Sequence, residues 1–308
     1  MEKEKGLHPR NKHIENYNFK ELMAGHPRLN SYVRENQYGD LGVDFSDANA
    51  VLCLNQALLS YHYNIDKWTI PKGHLCPAIP GRVDYIHHIA DLLGESHNGV
   101  PPVGTKTKGL DVGTGTSCIY PLLGNSIYGW KFVGTDISTD AINHAKGLLS
   151  SHPTFKKNIK TRYQDSPTNI FVNMIKPDEK FDFSMCNPPF YSSLEEANSA
   201  SDRKSKNLNK NKTKKGHSLS KTSNAKASNF GGLKAELWCP GGEKTFILKM
   251  IKESNAVKEQ CRWFTTLVSK KEHLDDFYKA LESLKPLEVR TIEMQHGQKS
   301  SRILAWHF

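Results

Sequence analysis

From Lys108 onward, short apolar runs alternate with stretches of helical period. Runs near 108–112, 131–136, 159–164, 181–186, 262–268, 287–294 and 302–307 read as strands. Segments near 117–123, 139–150, 243–253 and 271–284 read as helices. This alternation predicts an α/β fold with a mostly parallel, doubly wound sheet. Only the turn His296-Gly297-Gln298 separates the last two runs, so they should pair antiparallel at one edge.

Upstream of Lys108 the pattern is sparser. Val51, Leu52, Leu54, Ala57, Leu58 and Tyr61 recur with helical period, predicting a helix from about Ser46 to Tyr61 with Ser46 or Asp44 as its cap. Pro71, Pro77 and Pro80 mark a connector. A second helix is expected from about Arg82 to Leu93, presenting Ile86, Ile89, Ala90 and Leu93 and stopping at Gly94. Residues 1–40 are polar and should hold little regular structure. This divides the chain into a partly helical extension over 1–95 and an α/β domain over 96–308.

Composition sharpens the picture in three respects. A hydrophobic fraction of 37% and a mean hydropathy of −0.59 describe a core diluted by solvated segments. No apolar run approaches the roughly 20 residues of a membrane span, and nothing apolar follows the charged start Met1-Glu2-Lys3-Glu4-Lys5 as in a signal peptide. The six cysteines form no C-x-x-C pair and have no His at zinc spacing, which points to reduced thiols in a cytoplasmic protein without a metal.

The net charge of +10 is unevenly placed. Residues 202–226 hold nine Lys or Arg against Asp202 alone, and residues 1–13 add a further +2. Residues 199–229 are too poor in apolar groups to order themselves and read as a disordered basic insert. Such arms seek polyanions or merely keep a protein soluble, and composition alone does not separate the two.

Three motifs carry the chemistry. Leu110-Asp111-Val112-Gly113-Thr114-Gly115-Thr116-Ser117 is a strand that ends in a glycine turn and enters a helix. Gly113 and Gly115 let the backbone approach a ligand at the strand tip. Dehydrogenases and plain tight turns share that feature, but Cys118 stands where a dinucleotide fingerprint has its third glycine. Asp136 ends the next run, 23 residues after Gly113, near the spacing at which an acid meets ribose hydroxyls. The third run should end near Gln164-Asp165-Ser166, where a polar group could contact an adenine ring.

The third motif is Asn187-Pro188-Pro189-Phe190, directly after the apolar run 181–186. An adenine amine is conjugated with its ring and is a poor nucleophile. The Asn187 oxygen and the Pro188 carbonyl can accept its two N–H bonds and turn the nitrogen lone pair toward a methyl donor. The prolines fix that carbonyl's direction, and Phe190 offers a face for the base. Asp111 before the glycines resembles the first motif of S-adenosylmethionine-dependent methyltransferases, and Asn187 to Phe190 resembles the Asn/Asp-Pro-Pro-aromatic motif of amino-methyltransferases.

Taken together, the chain resembles the bacterial 23S ribosomal RNA adenine-N6 methyltransferase F family over nearly all 308 residues. The blocks that carry the resemblance run in order. They include Leu7-His8-Pro9-Arg10-Asn11, Ile70-Pro71, Leu75-Cys76-Pro77, Pro80-Gly81-Arg82, Asp84-Tyr85-Ile86-His87 and the stretch from Asp111 to Gly124. Asn187 to Phe190, Asn229-Phe230-Gly231-Gly232, Ala235-Glu236-Leu237-Trp238-Cys239 and Gly241-Gly242-Glu243 complete them. The family is also similar to eukaryotic N6-adenine methyltransferases of small nuclear RNA.

The resemblance implies a Rossmann-like class I methyltransferase fold with a seven-stranded sheet and an RNA-contacting extension over 1–95. It implies S-adenosylmethionine as cofactor, with contacts from Arg82, Gly113, Ser117, Asp136 and Asn187. Its expected partner is 23S rRNA or a large-subunit assembly intermediate; the chain is expected to act as a monomer, and the charge of the basic insert, apart from the resemblance, leads to the expectation that it captures RNA. A guanidinium at Arg82 suits the cofactor's carboxylate. The length and Asn/Ser richness of the 199–229 insert depart from the family pattern. Methylation of another RNA, of DNA or of a protein glutamine uses the same tetrapeptide logic. A non-catalytic ribosome assembly factor on the same scaffold is the alternative of a different class.

Overall fold

The structure, a computed structural model, describes residues 6–36, 38–193, 195–196, 238–296 and 299–308. The basic insert expected over 199–229 lies outside the described residues, as does the stretch 229–237.

Seven strands form one sheet: β3 (Lys108–Val112), β4 (Lys131–Asp136), β5 (Ile159–Tyr163), β6 (Phe181–Cys186), β7 (Cys261–Val268), β8 (Glu288–His296) and β9 (Lys299–His307). Their order is β5-β4-β3-β6-β7-β9-β8. Pairing is parallel from β5 to β7, and the edge hairpin β8–β9 is antiparallel. The order reverses beside β3, so the tips of β3, β4 and β6 open the crevice where doubly wound sheets bind ligands.

The sheet is covered on both faces. On one, α3 (Ile79–Gly94), α4 (Ile119–Tyr128), α5 (Thr139–Ser150) and α6 (Pro153–Asn158) share a core with Phe132, Phe183, Met185 and Trp263. On the other, α7 (Gly242–Ser254) and α8 (Leu274–Leu284) pack against Leu110, Val133, Phe264 and Trp306. Two glycines allow close approach on the first face. A Cβ at Gly109 would lie 2.5 Å from the Phe183 ring, and one at Gly124 would lie 2.5 Å from the Phe132 ring.

The start of the chain is more regular than its polarity suggests. It forms α1 (Phe19–Gly25), a hairpin of β1 (Val33–Glu35) and β2 (Leu41–Val43), and α2 (Ala48–Tyr63). Leu22, Leu29 and Val33 bury themselves against Cys53, Leu54 and Leu58 of α2, which supplies the missing core. The cap of α2 is Asp47, whose carboxylate accepts from the Asn49 N–H at 2.8 Å, rather than Ser46 or Asp44. Asp44 instead folds the preceding turn by accepting from Ser46. Helix α3 starts at Ile79, three residues before the expected Arg82, because Pro80 sits in its first turn where no N–H is needed.

Residues 8–13 strap onto α3 through buried polar groups. Asp84 accepts from the His8 N–H at 2.6 Å and from Asn11 Nδ2 at 3.0 Å, while Asn11 also reaches the Pro80 carbonyl at 3.0 Å. Arg10 pairs with Asp91 at 2.6 Å. His87 hydrogen-bonds Tyr128 across the α3–α4 contact at 2.7 Å. Burial holds His87 near 4, below the ordinary 6.5, and the His8 and Arg10 charges push the same way.

A folded-state value below the unfolded one means that the unfolded chain binds this proton first. Stability is therefore complete above about pH 6.5 and declines as the pH falls toward 4. Urea denaturation should show up to about 3 kcal/mol lost across that interval. His87→Gln should flatten the decline; a variant as steep as the wild type would assign it to other groups.

Candidate active site

The turn after β3 is built for a close backbone approach. Gly113 and Gly115 take φ of +73° and +63°, which only glycine adopts freely, and a Cβ on either would meet no protein atom within 4 Å. The Gly113 and Thr114 N–H groups both donate to the Thr135 carbonyl at 2.9 Å. The Trp68 indole donates to the Ser117 carbonyl at 2.9 Å, and His144 Nδ1 lies 2.8 Å from the Thr116 carbonyl. Cys118 follows with φ +48°, so α4 begins at Ile119, two residues later than the sequence pattern suggests.

Two carboxylates flank this turn. Asp111 is 1% exposed, and neither of its oxygens has a hydrogen-bond partner among the described residues. Burial pushes its pKa to about 7; the Thr114 side chain beside it, too poorly aligned for a full hydrogen bond, opposes the rise, the charge of Asp136 adds to it and Arg82 opposes it. A buried carboxyl with so weak a partner is relieved by protonation or by a donor or cation from a ligand. Asp136, at the tip of β4, accepts from the Gly115 N–H and the Ser138 N–H, each at 2.9 Å. Its oxygens can each accept more than one bond, so these two do not preclude hydroxyl donors.

Asn187 emerges from β6 next to β3. With its carboxamide oxygen turned toward α3, it accepts from Arg82 Nη2 at 3.2 Å and Nη1 at 3.3 Å. The opposite orientation would set donors against donors. Arg82 Nη1 also donates to the Tyr120 hydroxyl at 2.8 Å, and the guanidinium lies over that ring. The strand behind Asn187 is braced by Tyr85, fully buried, whose hydroxyl lies 2.8 Å from Thr265 Oγ1. Thr265 in turn donates to the Ser184 carbonyl at 2.8 Å.

In front of Asn187 opens a cleft of about 620 Å³. Gly81, Arg82, Asn187, Phe190 and Tyr191 line one wall, and Leu267, Ser269, Lys270, Gln295, Ser300 and Ser301 line the other. The volume falls within the roughly 300–1,000 Å³ of small-molecule clefts. Arg82 and Asn187 both line this cleft, and the strand that leads to Asn187 pairs with the strand that leads to the glycine turn.

The structure brings together Arg82, Asp111, Gly113, Gly115, Ser117, Asp136 and Asn187 to Phe190. The Gln164 carboxamide is instead engaged in its own loop, donating to the Val172 carbonyl at 2.9 Å and accepting from the Ser166 N–H at 3.1 Å. Ser166 Oγ bonds Thr168, and Asp165 is exposed. Sequence reasoning gave no role to Tyr85, Tyr120, Glu243 or Lys270. They meet the site only through tertiary contacts, and the block Gly241-Gly242-Glu243 was the one signal for Glu243. Among the described residues no three His, Cys, Asp or Glu side chains gather as a metal site, and no helix is long and apolar enough to cross a membrane.

A Rossmann-like sheet with a glycine turn on β3, an acid on β4 and an Asn-Pro-Pro-Phe tip on β6 defines a methyltransferase of the α/β class. The sequence pattern of a family described as RNA methyltransferase matches residues 1–308, and the chain belongs to that family. A relative from Photobacterium profundum, "Ribosomal RNA large subunit methyltransferase F", is 52% identical over 313 residues, covering 100% of this chain and 93% of its own. One of the same name from Cytophaga hutchinsonii is 48% identical, covering 98% of this chain and 91% of its own.

Solved structures of a human protein share the fold. The METTL16 catalytic domain in complex with MAT2A 3'UTR hairpin 6 matches with a TM-score of 0.78 at 28% identity, over 99% of this chain and 98% of that one. The N-terminal domain of human METTL16 in complex with SAH matches with a TM-score of 0.75 at 26% identity, over 99% of each.

The bracing of β6 can be measured. Tyr85→Phe removes the hydroxyl at the centre of the Thr265–Ser184 network and should cost about 1–3 kcal/mol in equilibrium denaturation. A loss below about 0.5 kcal/mol, the scale of an ordinary surface change, would show that the network does not hold the strand.

Proposed function

We propose that the chain transfers a methyl group from S-adenosylmethionine to the N6 amine of an adenine in 23S ribosomal RNA. The observation that carries this reading is the position of Asn187-Pro188-Pro189-Phe190. It sits at the tip of the strand beside the glycine turn and faces a cleft large enough for a nucleotide.

The residues present suit the cofactor. The open side of Gly113 and Gly115 leaves room for it, and Asp136 is placed to accept from its ribose hydroxyls. Asp111, buried without a partner among the described residues, offers a carboxylate to its cationic ammonium group. Arg82 offers donors to its carboxylate. Ser117 adds a hydroxyl at the entrance of α4, and the loop Gln164-Asp165-Ser166 borders the adenine end. When bound, S-adenosylmethionine supplies an electrophilic methyl group.

This chain's own residues then align the acceptor. The Asn187 oxygen, which the two Arg82 N–H groups approach from one side at 3.2 and 3.3 Å, accepts one N–H of the target amine from the other once Arg82 yields one of these long contacts to the cofactor. The Pro188 carbonyl takes the second N–H, and the nitrogen lone pair is left facing the methyl group. Phe190 stacks on the base. The gain is one of orientation and of a dry, preformed set of acceptors.

Residues 1–95 supply further RNA contacts, and the chain acts as a cytoplasmic monomer. The names of the relatives, a ribosomal RNA enzyme and a domain crystallised with an RNA hairpin, favour RNA over DNA or protein. Methyl transfer to free 23S rRNA, large-subunit particles, DNA and protein tests the reading. Labelling of DNA or protein alone would overturn it.

Two expectations follow from the geometry. Asn187→Ala should lower kcat by the equivalent of about 2–4 kcal/mol while cofactor affinity stays within a few-fold. Near-normal turnover would remove Asn187 from catalysis. Asp136→Ala should weaken cofactor binding about tenfold or more in calorimetry, a loss of about 1.5–3 kcal/mol.

Asp111 adds a pH signature. A cationic ligand favours its ionised form, so binding should tighten as the pH rises through about 7, with proton release. Asp111→Asn should abolish that dependence. An unchanged profile would show that another group titrates.

A further inference from the structure

We propose that Lys270 binds the phosphate of the target nucleotide, a contact that rests on the RNA methyltransferase reading above. The turn between β7 and α8, where Lys270 sits, is held from behind by one carboxylate. Glu243, 1% exposed, accepts from the Ser269 N–H at 2.6 Å and the Lys270 N–H at 3.2 Å, with His273 Nδ1 at 3.1 Å. All three partners belong to this turn.

Glu243 is itself tied to the wall that carries Asn187. It follows Gly241 and Gly242, which take φ of +79° and +63°. A Cβ on Gly242 would stand 3.1 Å from the Ser192 nitrogen, and the Cys239 N–H donates to the Tyr191 carbonyl at 3.2 Å. The start of α7 therefore joins the two walls of the cleft and fixes the Lys270 backbone relative to Phe190.

The charges along the cleft single out this lysine. Arg82 is turned to Asn187 and Tyr120, with its remaining donors assigned to the cofactor's carboxylate, and Asp84 is engaged by His8 and Asn11. The Lys270 ammonium lies 3.9 Å from the Glu196 carboxylate, which Ser192 holds through its N–H at 2.9 Å and its hydroxyl at 2.6 Å, and the two side chains are 46% and 38% exposed. The ammonium–carboxylate separation exceeds a direct hydrogen bond, and exposed pairs of this kind hold weakly. Lys270, Ser300 and Ser301 line the same cleft as Phe190, so the sugar and phosphate of a base stacked on Phe190 would come within their reach. A lysine on a fixed backbone meets that phosphate without first ordering a loop.

The test compares Lys270→Ala, Lys270→Arg and Lys271→Ala, using whichever form of large-subunit rRNA, free or in particles, the wild type methylates. Lys271 is the exposed neighbour and does not line the cleft. Lys270→Ala should raise the RNA KM about five- to tenfold with kcat within twofold, as loss of uniform binding does. It should also reduce the slope of log affinity against log salt by about 0.7–0.9, the value of one phosphate contact. Lys270→Arg should restore both, and Lys271→Ala should match the wild type.

Unchanged KM and slope in Lys270→Ala would overturn the proposal, as would an equal effect in Lys271→Ala. A wild type that methylates no RNA would instead defeat the methyltransferase reading. The salt slope of RNA binding would still judge Lys270 by itself.

Discussion

Between α3 and the tip of β6, one guanidinium faces a carboxamide and a phenol. Arg82 donates to Asn187 and Tyr120 at once, and its charge is also felt by Asp111 on the far side. A cation this close to the sheet must be surrounded by acceptors, and those acceptors come from two elements other than its own. The arrangement forces α3, α4 and β6 into one register. Much else can be understood as support for it: the strap that clamps the first turns of α3, the Tyr85 brace behind β6 and the pinned glycine turn.

The two sides of this array differ in how they are stabilised. On the cleft side, polar groups are satisfied within the protein, as with Asp84 and Glu243. On the glycine-turn side, Asp111 is buried without a partner among the described residues. A fold that keeps such a group gives up stability where a ligand is to bind, and a ligand with matching charge recovers it. Burial alone would make Asp111 a liability. Beside an open glycine turn it becomes the most informative atom pair in the site.

Much of this was legible in the sequence, for identifiable reasons. The strands were readable because each is an apolar run bounded by turn residues, and the antiparallel edge followed from the short gap before the last strand. The tips of β3, β4 and β6 were readable because glycine, aspartate and Asn-Pro-Pro have few other uses there. The N-terminal hairpin was not, since Leu22, Leu29 and Val33 are too widely spaced to show a period and become a core only against α2. Pro80 looked like a turn although the first turn of a helix tolerates it. No local signal marks Arg82, which came from resemblance alone. Gln164 sat at the expected strand end, but its carboxamide proved to be engaged in folding its own loop.

The order of the sheet also bears on synthesis. The strap at residues 8–13 leaves the ribosome long before Asp84 and Asp91, the groups that bind it. One wall of the cleft needs Gln295, Ser300 and Ser301 from the last two strands. A nascent chain can therefore close its glycine turn, built from β3 and β4, well before it owns a complete acceptor cleft.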